Sequence, residues 1–356
     1  MNKKLLSLPV LFVSITFFFS CSKRNIILPD SLNESLETNN TALRPATSVV
    51  TYLTGNAADV TTNATGGLIL MGGGTDVDAA IKWFLQKAAG GDVVVIRATG
   101  SNGYNKYMYN MVAVNSVETI IIDSRDKANL ASVAEKIRNA EALFIAGGDQ
   151  WNYVNYWKNS VTEDAINYLI NTKKVTVGGT SAGLAIMGGI YYSAQTGVSV
   201  TSAQALSNPY NVNVTLGQND FVASSLLQNT ITDSHYSQRD RQGRHITFLA
   251  RMMTDFNYAT IKGIGIDEQT AVCIDQAGAG KVYGINQAYF LQNESLGPET
   301  CVSLSPLSWN RSALAVKAYK ITGTIAGNGG FDANNWLFSG GTAFHYYVNN
   351  GVLFQN

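Results

Sequence analysis

Lys174-Val175-Thr176-Val177-Gly178-Gly179-Thr180-Ser181-Ala182-Gly183-Leu184-Ala185-Ile186-Met187 is the stretch that decides how this chain folds. The β-branched residues within 174–177 predict a buried strand, and Leu184 to Met187 continue as a helix. Between them stands Gly179-x-Ser181-x-Gly183. That spacing belongs to a sharp strand-to-helix turn, which needs small flanking residues and raises the serine hydroxyl at the edge of a sheet. The amides that open the following helix suit a developing oxyanion. A glycine-rich turn carrying an incidental serine is the plain alternative.

Working outward, short apolar runs alternate with helix-period segments. Gly67–Met71 reads as a strand ending at Gly72-Gly73-Gly74. Asp76 then caps a helix with Ile81, Phe84, Leu85 and Ala88 on one face. Strands are expected at 92–98, 118–123 and 142–146, the last ending in Gly147-Gly148-Asp149-Gln150. Helices are expected at 129–139 and over most of 151–173. This order predicts an α/β fold, mainly a parallel sheet with helices on both faces. Strands at 261–266, 270–274, 280–285 and 288–292 read as an antiparallel C-terminal extension of the same sheet. Residues 49–356 form one domain in this reading, and 293–356 carry no usable motif. The glycines at 72–74 lack the pattern of a phosphate loop and fit a tight βα turn.

The 356 residues carry 25 Lys and Arg against 25 Asp and Glu, a net charge of zero, and 14% are charged. No basic excess exists for nucleic acid, so a bulk electrostatic nucleic-acid binder is excluded. Residues 1–21 have the form of an export signal: Lys3 and Lys4, an apolar run from Leu5 to Phe19, then Ser20-Cys21. Cys21 after a small residue predicts a lipoprotein, tethered to a membrane through lipid on its thiol. An ordinary signal peptide cut nearby is the alternative. The polar stretch 22–48 reads as a tether. Cys273 and Cys301 remain beyond the leader, and their pairing is open. No Cys/His cluster has metal-ligand spacing.

A serine nucleophile needs a base, and the chain has three histidines, His235, His245 and His345. His235 follows a predicted strand end, in Asp233-Ser234-His235-Tyr236-Ser237-Gln238-Arg239-Asp240-Arg241-Gln242-Gly243-Arg244, and is the candidate. His245 is expected to cap or pack, and His345 to be structural or solvent-facing. The base needs an acid to hold its tautomer, for which Asp267 and Glu268 at a strand end both qualify, with Asp233 a third option. Arg239, Arg241 and Arg244 form a guanidinium cluster suited to carboxylates, or else a solvated face paired with Asp240.

The motif 178–183, the string from Asp233 to Arg244 and Gly265-Ile266-Asp267-Glu268 together resemble the serine peptidase family of cyanophycinases and aspartyl dipeptidases. That resemblance spans about residues 65–292. It implies a fold similar to class I glutamine amidotransferases (flavodoxin-like) and an exopeptidase releasing β-Asp-Arg dipeptides from cyanophycin, without a metal or other cofactor. It further implies Ser181 as nucleophile, His235 as base and Glu268, rather than Asp267, as orienting acid. Gly148 and Ala182 would form the oxyanion hole, and Gln150, Asp233, Arg239, Arg241 and Arg244 would bind substrate. Family members are often homodimers. An export signal fits scavenging of external polymer. The competing expectations are an aspartyl or isoaspartyl dipeptidase of the same family, and a non-catalytic tethered binding protein for acidic peptides.

Overall fold

The strand foreseen at 174–177 runs slightly later, as Thr176–Thr180, with all its residues buried. It lies parallel between Ala142–Ile145 and Gly67–Met71, at the centre of a sheet. The glycines permit this position. A Cβ on Gly179 or on Gly183 would stand 2.1 Å from the carbonyl oxygen of Ile145. A larger residue at either place would push the neighbouring strand away, so Gly179 serves close strand packing as well as the turn. The computed structural model describes residues 48–294 and 296–356. The signal 1–21, Cys21 and positions 22–47 of the tether lie outside the described residues. Thr47–Asn356 forms one compact unit.

The expected single, mainly parallel sheet is corrected. Among the described residues the strands form two mixed sheets, of ten and eight strands. In the first, five neighbouring strands are parallel: Ser116–Ile121, Asp92–Arg97, Ala142–Ile145, Thr176–Thr180 and Gly67–Met71. Val50–Gly55 is antiparallel at one edge, and Thr270–Asp275 followed by Ala279–Gly284 is antiparallel on the other side. Lys262–Ile266 and Gln287–Asn293 do not extend this sheet. They pair with each other in the second sheet, where Thr230–Asp233 runs parallel to Lys262–Ile266. The chain thus changes sheet at Asp267. Ile264, Ile266, Ala288 and Phe290 of the second sheet share one core with Leu184 and Val272. One face of the first sheet is therefore covered partly by a second sheet rather than by helices alone. Residues 316–355 supply further strands to both sheets.

Helix boundaries also shift. The helix after Gly67–Met71 is Asp78–Lys87, with Val77 at its N-cap and no side-chain cap bond, so Asp76 does not cap it. The helix that follows the His235 segment is Gln242–Phe256, which makes Arg241 its N-cap residue. Among the described residues no helix is long and apolar enough to cross a membrane. Cys273 and Cys301 are both free and buried.

Candidate active site

Ser181 sits between Thr176–Thr180 and the short helix Ala182–Ala185 with φ +53° and ψ −111°. A non-glycine residue reaches that conformation only at a cost of about 1–3 kcal/mol, which the surrounding packing must offset. The result is a hydroxyl held outward at the strand's carboxyl end. His235 arrives from the other sheet, two residues beyond Thr230–Asp233, also with positive φ at +46°. Its amide donates to Gly72 O at 2.7 Å, and its ring lies over Gly73, where a Cβ would stand 2.4 Å from Cε1. Glycine at 73 is what lets the imidazole approach.

Ser181 Oγ and His235 Nε2 are 2.7 Å apart, and His235 Nδ1 and Glu268 Oε1 are 2.6 Å apart. An ionised carboxylate only accepts, so Nδ1 carries the ring proton and Nε2 is left to accept from the serine O–H. Burial pulls the pKa of His235 below the ordinary histidine value. The hydrogen bond to Glu268 opposes that shift, and the Arg239 and Arg241 charges add to it. The imidazole is thus held neutral and ready to take a proton. Asp267 plays a different part. It is buried and accepts from the amides of Ser237 at 2.8 Å and Gln287 at 3.2 Å. Gln238 stands in the string that carries the family resemblance but receives no role from the sequence; its Oε1 accepts from the Glu268 amide at 2.9 Å and fixes that residue's backbone.

The three arginines part company. Arg239 is 54% exposed along its side chain, with Nε 3.8 Å from Glu268 Oε1. Arg244 is 2% exposed and bonds Asp233 through Nε at 2.8 Å and Nη2 at 2.6 Å. Its guanidinium lies over the rings of Tyr192 and Phe248 and donates to Ser199 Oγ at 2.8 Å. Arg241 donates to the Ser234 carbonyl at 2.9 Å, and burial brings its pKa down to about 10. Burial works against the charge on Asp233, but Arg244 and Arg241 hold its carboxyl below the usual range. Asp233 and Arg244, which the resemblance implied would bind substrate, are bonded to each other, with Arg241 Nη1 also 3.4 Å from Asp233 Oδ1, directly before Ser234-His235, because a buried carboxylate needs its cation at hand.

The amide of Ala182 opens its helix and so has no partner within it. Gly147 abuts Ser181, since a Cβ there would stand 3.5 Å from Ser181 Cβ, and Gly148 is the next residue of that exposed turn. Gln150 begins the helix Gln150–Trp157 and donates to Tyr192 O at 3.3 Å. His245 is fully buried, 3.1 Å from Tyr236 Oη and 3.3 Å from Ile231 O, and burial lowers its pKa to about 4. His345 is 3.6 Å from Glu294, away from the serine. Among the described residues no group of His, Cys, Asp and Glu is arranged to hold a metal ion.

The sequence profile of peptidase family S51 matches residues 68–282, a span that holds Ser181, His235 and Glu268. The chain belongs to peptidase family S51. Within this S51 chain, the similarity to cyanophycinases of Trichormus variabilis and Nostoc sp. is 26% identity over 177 residues, 50% of this chain and 53% of each relative. Cyanophycinase of Synechococcus elongatus is 22% identical over 209 residues, covering 56% of this chain and 59% of the relative. The chain spans about half the length of the curated relatives it matches. A solved peptidase from an acI-B1 Actinobacterium aligns over 68% of this chain and 98% of its own, with 14% identity and a TM-score of 0.46.

Proposed function

We propose that this S51 protein is a serine exopeptidase that hydrolyses cyanophycin to β-Asp-Arg dipeptides through an acyl-enzyme. The single observation that carries the reading is the pair of short bonds from Ser181 to His235 and from His235 to Glu268. As Ser181 Oγ attacks the peptide carbonyl, His235 Nε2 takes its proton and Glu268 stabilises the imidazolium. The amides of Gly148 and Ala182 receive the oxyanion. His235 then gives the proton to the leaving amine. Water, deprotonated by the same ring, releases the acid and restores the serine hydroxyl. Arg239 and Arg241, with Gln150, position the substrate's carboxylates.

An aspartyl dipeptidase is the second reading, and the closed Asp233–Arg244 pair favours it by leaving fewer guanidinium groups for a polymer. Purified protein incubated with cyanophycin and with small aspartyl peptides separates the two by product mass. Cleavage of small peptides alone selects the dipeptidase. Polymer degradation at an undiminished rate by Ser181→Ala removes both. Export through 1–21 with lipid on Cys21 completes the proposal. An unmodified soluble N-terminus found by mass spectrometry would end that part.

A further inference from the structure

Asp76 does little to hold the fold. The cap expected of it is absent, and its carboxylate has one bond, accepted from Tyr104 Oη at 3.3 Å. Burial pushes its pKa up, the tyrosine bond opposes that, and the nearby charge that acts on it is the like charge of Asp78. No Lys, Arg or His among the described residues pairs with it. A half-buried carboxylate without a cation is an unusual thing to keep beside a catalytic constellation.

Its position is fixed by the loop that carries it. Gly73 lies under the His235 ring, and a Cβ on Gly74 would stand 3.1 Å from Glu268 Cβ. Asp76 follows two residues later, on the same edge of the sheet as Ser181. Tyr104 packs on Phe144 with ring centres 5.1 Å apart, in the core that contains Met71 and Phe84. Ala182 and Leu184 belong to the core on the opposite face. Thr180 pairs in register with Met71, so its side chain stands on the Tyr104 face. Thr180 is 5% exposed, and its hydroxyl has no partner among the described residues. This face thus carries one carboxylate without a paired cation and, on Thr180 directly before Ser181, one buried hydroxyl without a partner among the described residues. Arg241 and the exposed Arg239 belong to the segment that carries His235, packed from the second sheet. Arg97 also lies on the Tyr104 face and its charge acts on that phenol, but it does not pair with Asp76, since its Nη1 and Nε donate to the carbonyls of Ser101 and Thr99.

We infer that Asp76, held by Tyr104, recognises the guanidinium group of an arginine-containing peptide substrate. The inference rests on the peptidase reading for its substrate, and it adds the group that selects for positive charge. Arginine and citrulline differ by one terminal group, guanidinium against neutral urea, and so isolate the interaction.

The test is calorimetric titration of Ser181→Ala protein with β-Asp-Arg and with β-Asp-citrulline. The arginine dipeptide binds tighter by about ten- to a hundredfold, as one charge-assisted bond to a part-buried carboxylate allows. Adding Asp76→Asn brings the two dipeptides close to parity, and Tyr104→Phe removes part of the gap. Equal affinities in Ser181→Ala protein, no binding of the arginine dipeptide, or a gap that survives Asp76→Asn each overturn the inference. Should Asp76→Asn fail to fold, an undiminished gap in Tyr104→Phe overturns it instead. If the gap closes as stated while the wild-type protein cleaves no β-aspartyl arginine peptide, the cation site stands and the peptidase reading falls.

Discussion

Glu268→Gln is the substitution whose effect the geometry specifies most closely. The glutamine has nearly the same shape, and the backbone anchor from Gln238 to the residue 268 amide is untouched. What changes is the partner of Nδ1, now 2.6 Å from a carboxylate oxygen. A carboxamide can turn its NH2 group toward the ring, which favours the tautomer with its proton on Nε2. That nitrogen then cannot accept from Ser181 Oγ, 2.7 Å away. No second acid can replace the first, because Asp267 is committed to the amides of Ser237 and Gln287. Loss of the correct tautomer together with the charge facing the imidazolium corresponds to a fall in kcat of about 10⁴, the size seen when a serine-protease aspartate becomes asparagine. At about 1.4 kcal/mol per decade this is about 5.5 kcal/mol of barrier. Steady-state hydrolysis of a β-aspartyl arginine peptide reads it, with KM little changed since the carboxylate does not touch substrate. Thermal unfolding checks that the variant is folded. A fall of less than about tenfold in a folded variant would refute the claim that Glu268 orients the base.

Arg244→Met leaves the buried Asp233 charge with only Arg241, 3.4 Å away, and costs about 3 kcal/mol in urea unfolding, while Asp233→Leu added to it recovers much of the loss. Unchanged stability with a raised KM would instead make Arg244 a free substrate ligand. The activity needs neutral His235, whose pKa is lowered, so kcat/KM falls only as pH drops through a midpoint below the ordinary value of about 6.5. An acid limb centred above that value contradicts the assignment. For His245 the folded pKa is about 4 while the unfolded value is about 6.5, so the unfolded chain binds more protons between them and stability rises with pH across that window. Unfolding at pH 5 and pH 7 measures the slope, and NMR titration of the His245 ring at or above its ordinary value would overturn the cause.

Ser181 could be nominated from the sequence because its demand is local, whereas His235 was one of three histidines and Glu268 was preferred to Asp267 only through the family resemblance. A serine held out of a strand-to-helix turn needs small residues at 179 and 183, and those stay adjacent in the chain. The choice between Asp267 and Glu268 could not be made from residue order, since both end the same strand and differ only in which way they point. By alternation, Asp267 turns inward to the second sheet's amides while Glu268 turns to the imidazole. The fates of Arg239, Arg241 and Arg244 were equally hidden: they sit within six positions of one another, yet one is 54% exposed and another is 2% exposed.

Strand identity was legible for the same local reason, through apolar period and glycine stops, but sheet membership was not. Lys262–Ile266 and Thr270–Asp275 have similar buried faces and a short connection, and such strands satisfy their apolar pattern equally well in one sheet or in two. Only the assembled core decided, by gathering Ile264 and Ile266 into the same core as Leu184 of the helix that follows Ser181. The sequence by itself therefore determined the residue types of the site and the turn that presents the serine. Tertiary structure alone decided which sheet brings the histidine and that Asp76 is left without a counter-ion. The reason is physical: turn chemistry acts between neighbours in the chain, whereas pairing of charges and sheets acts between neighbours in space.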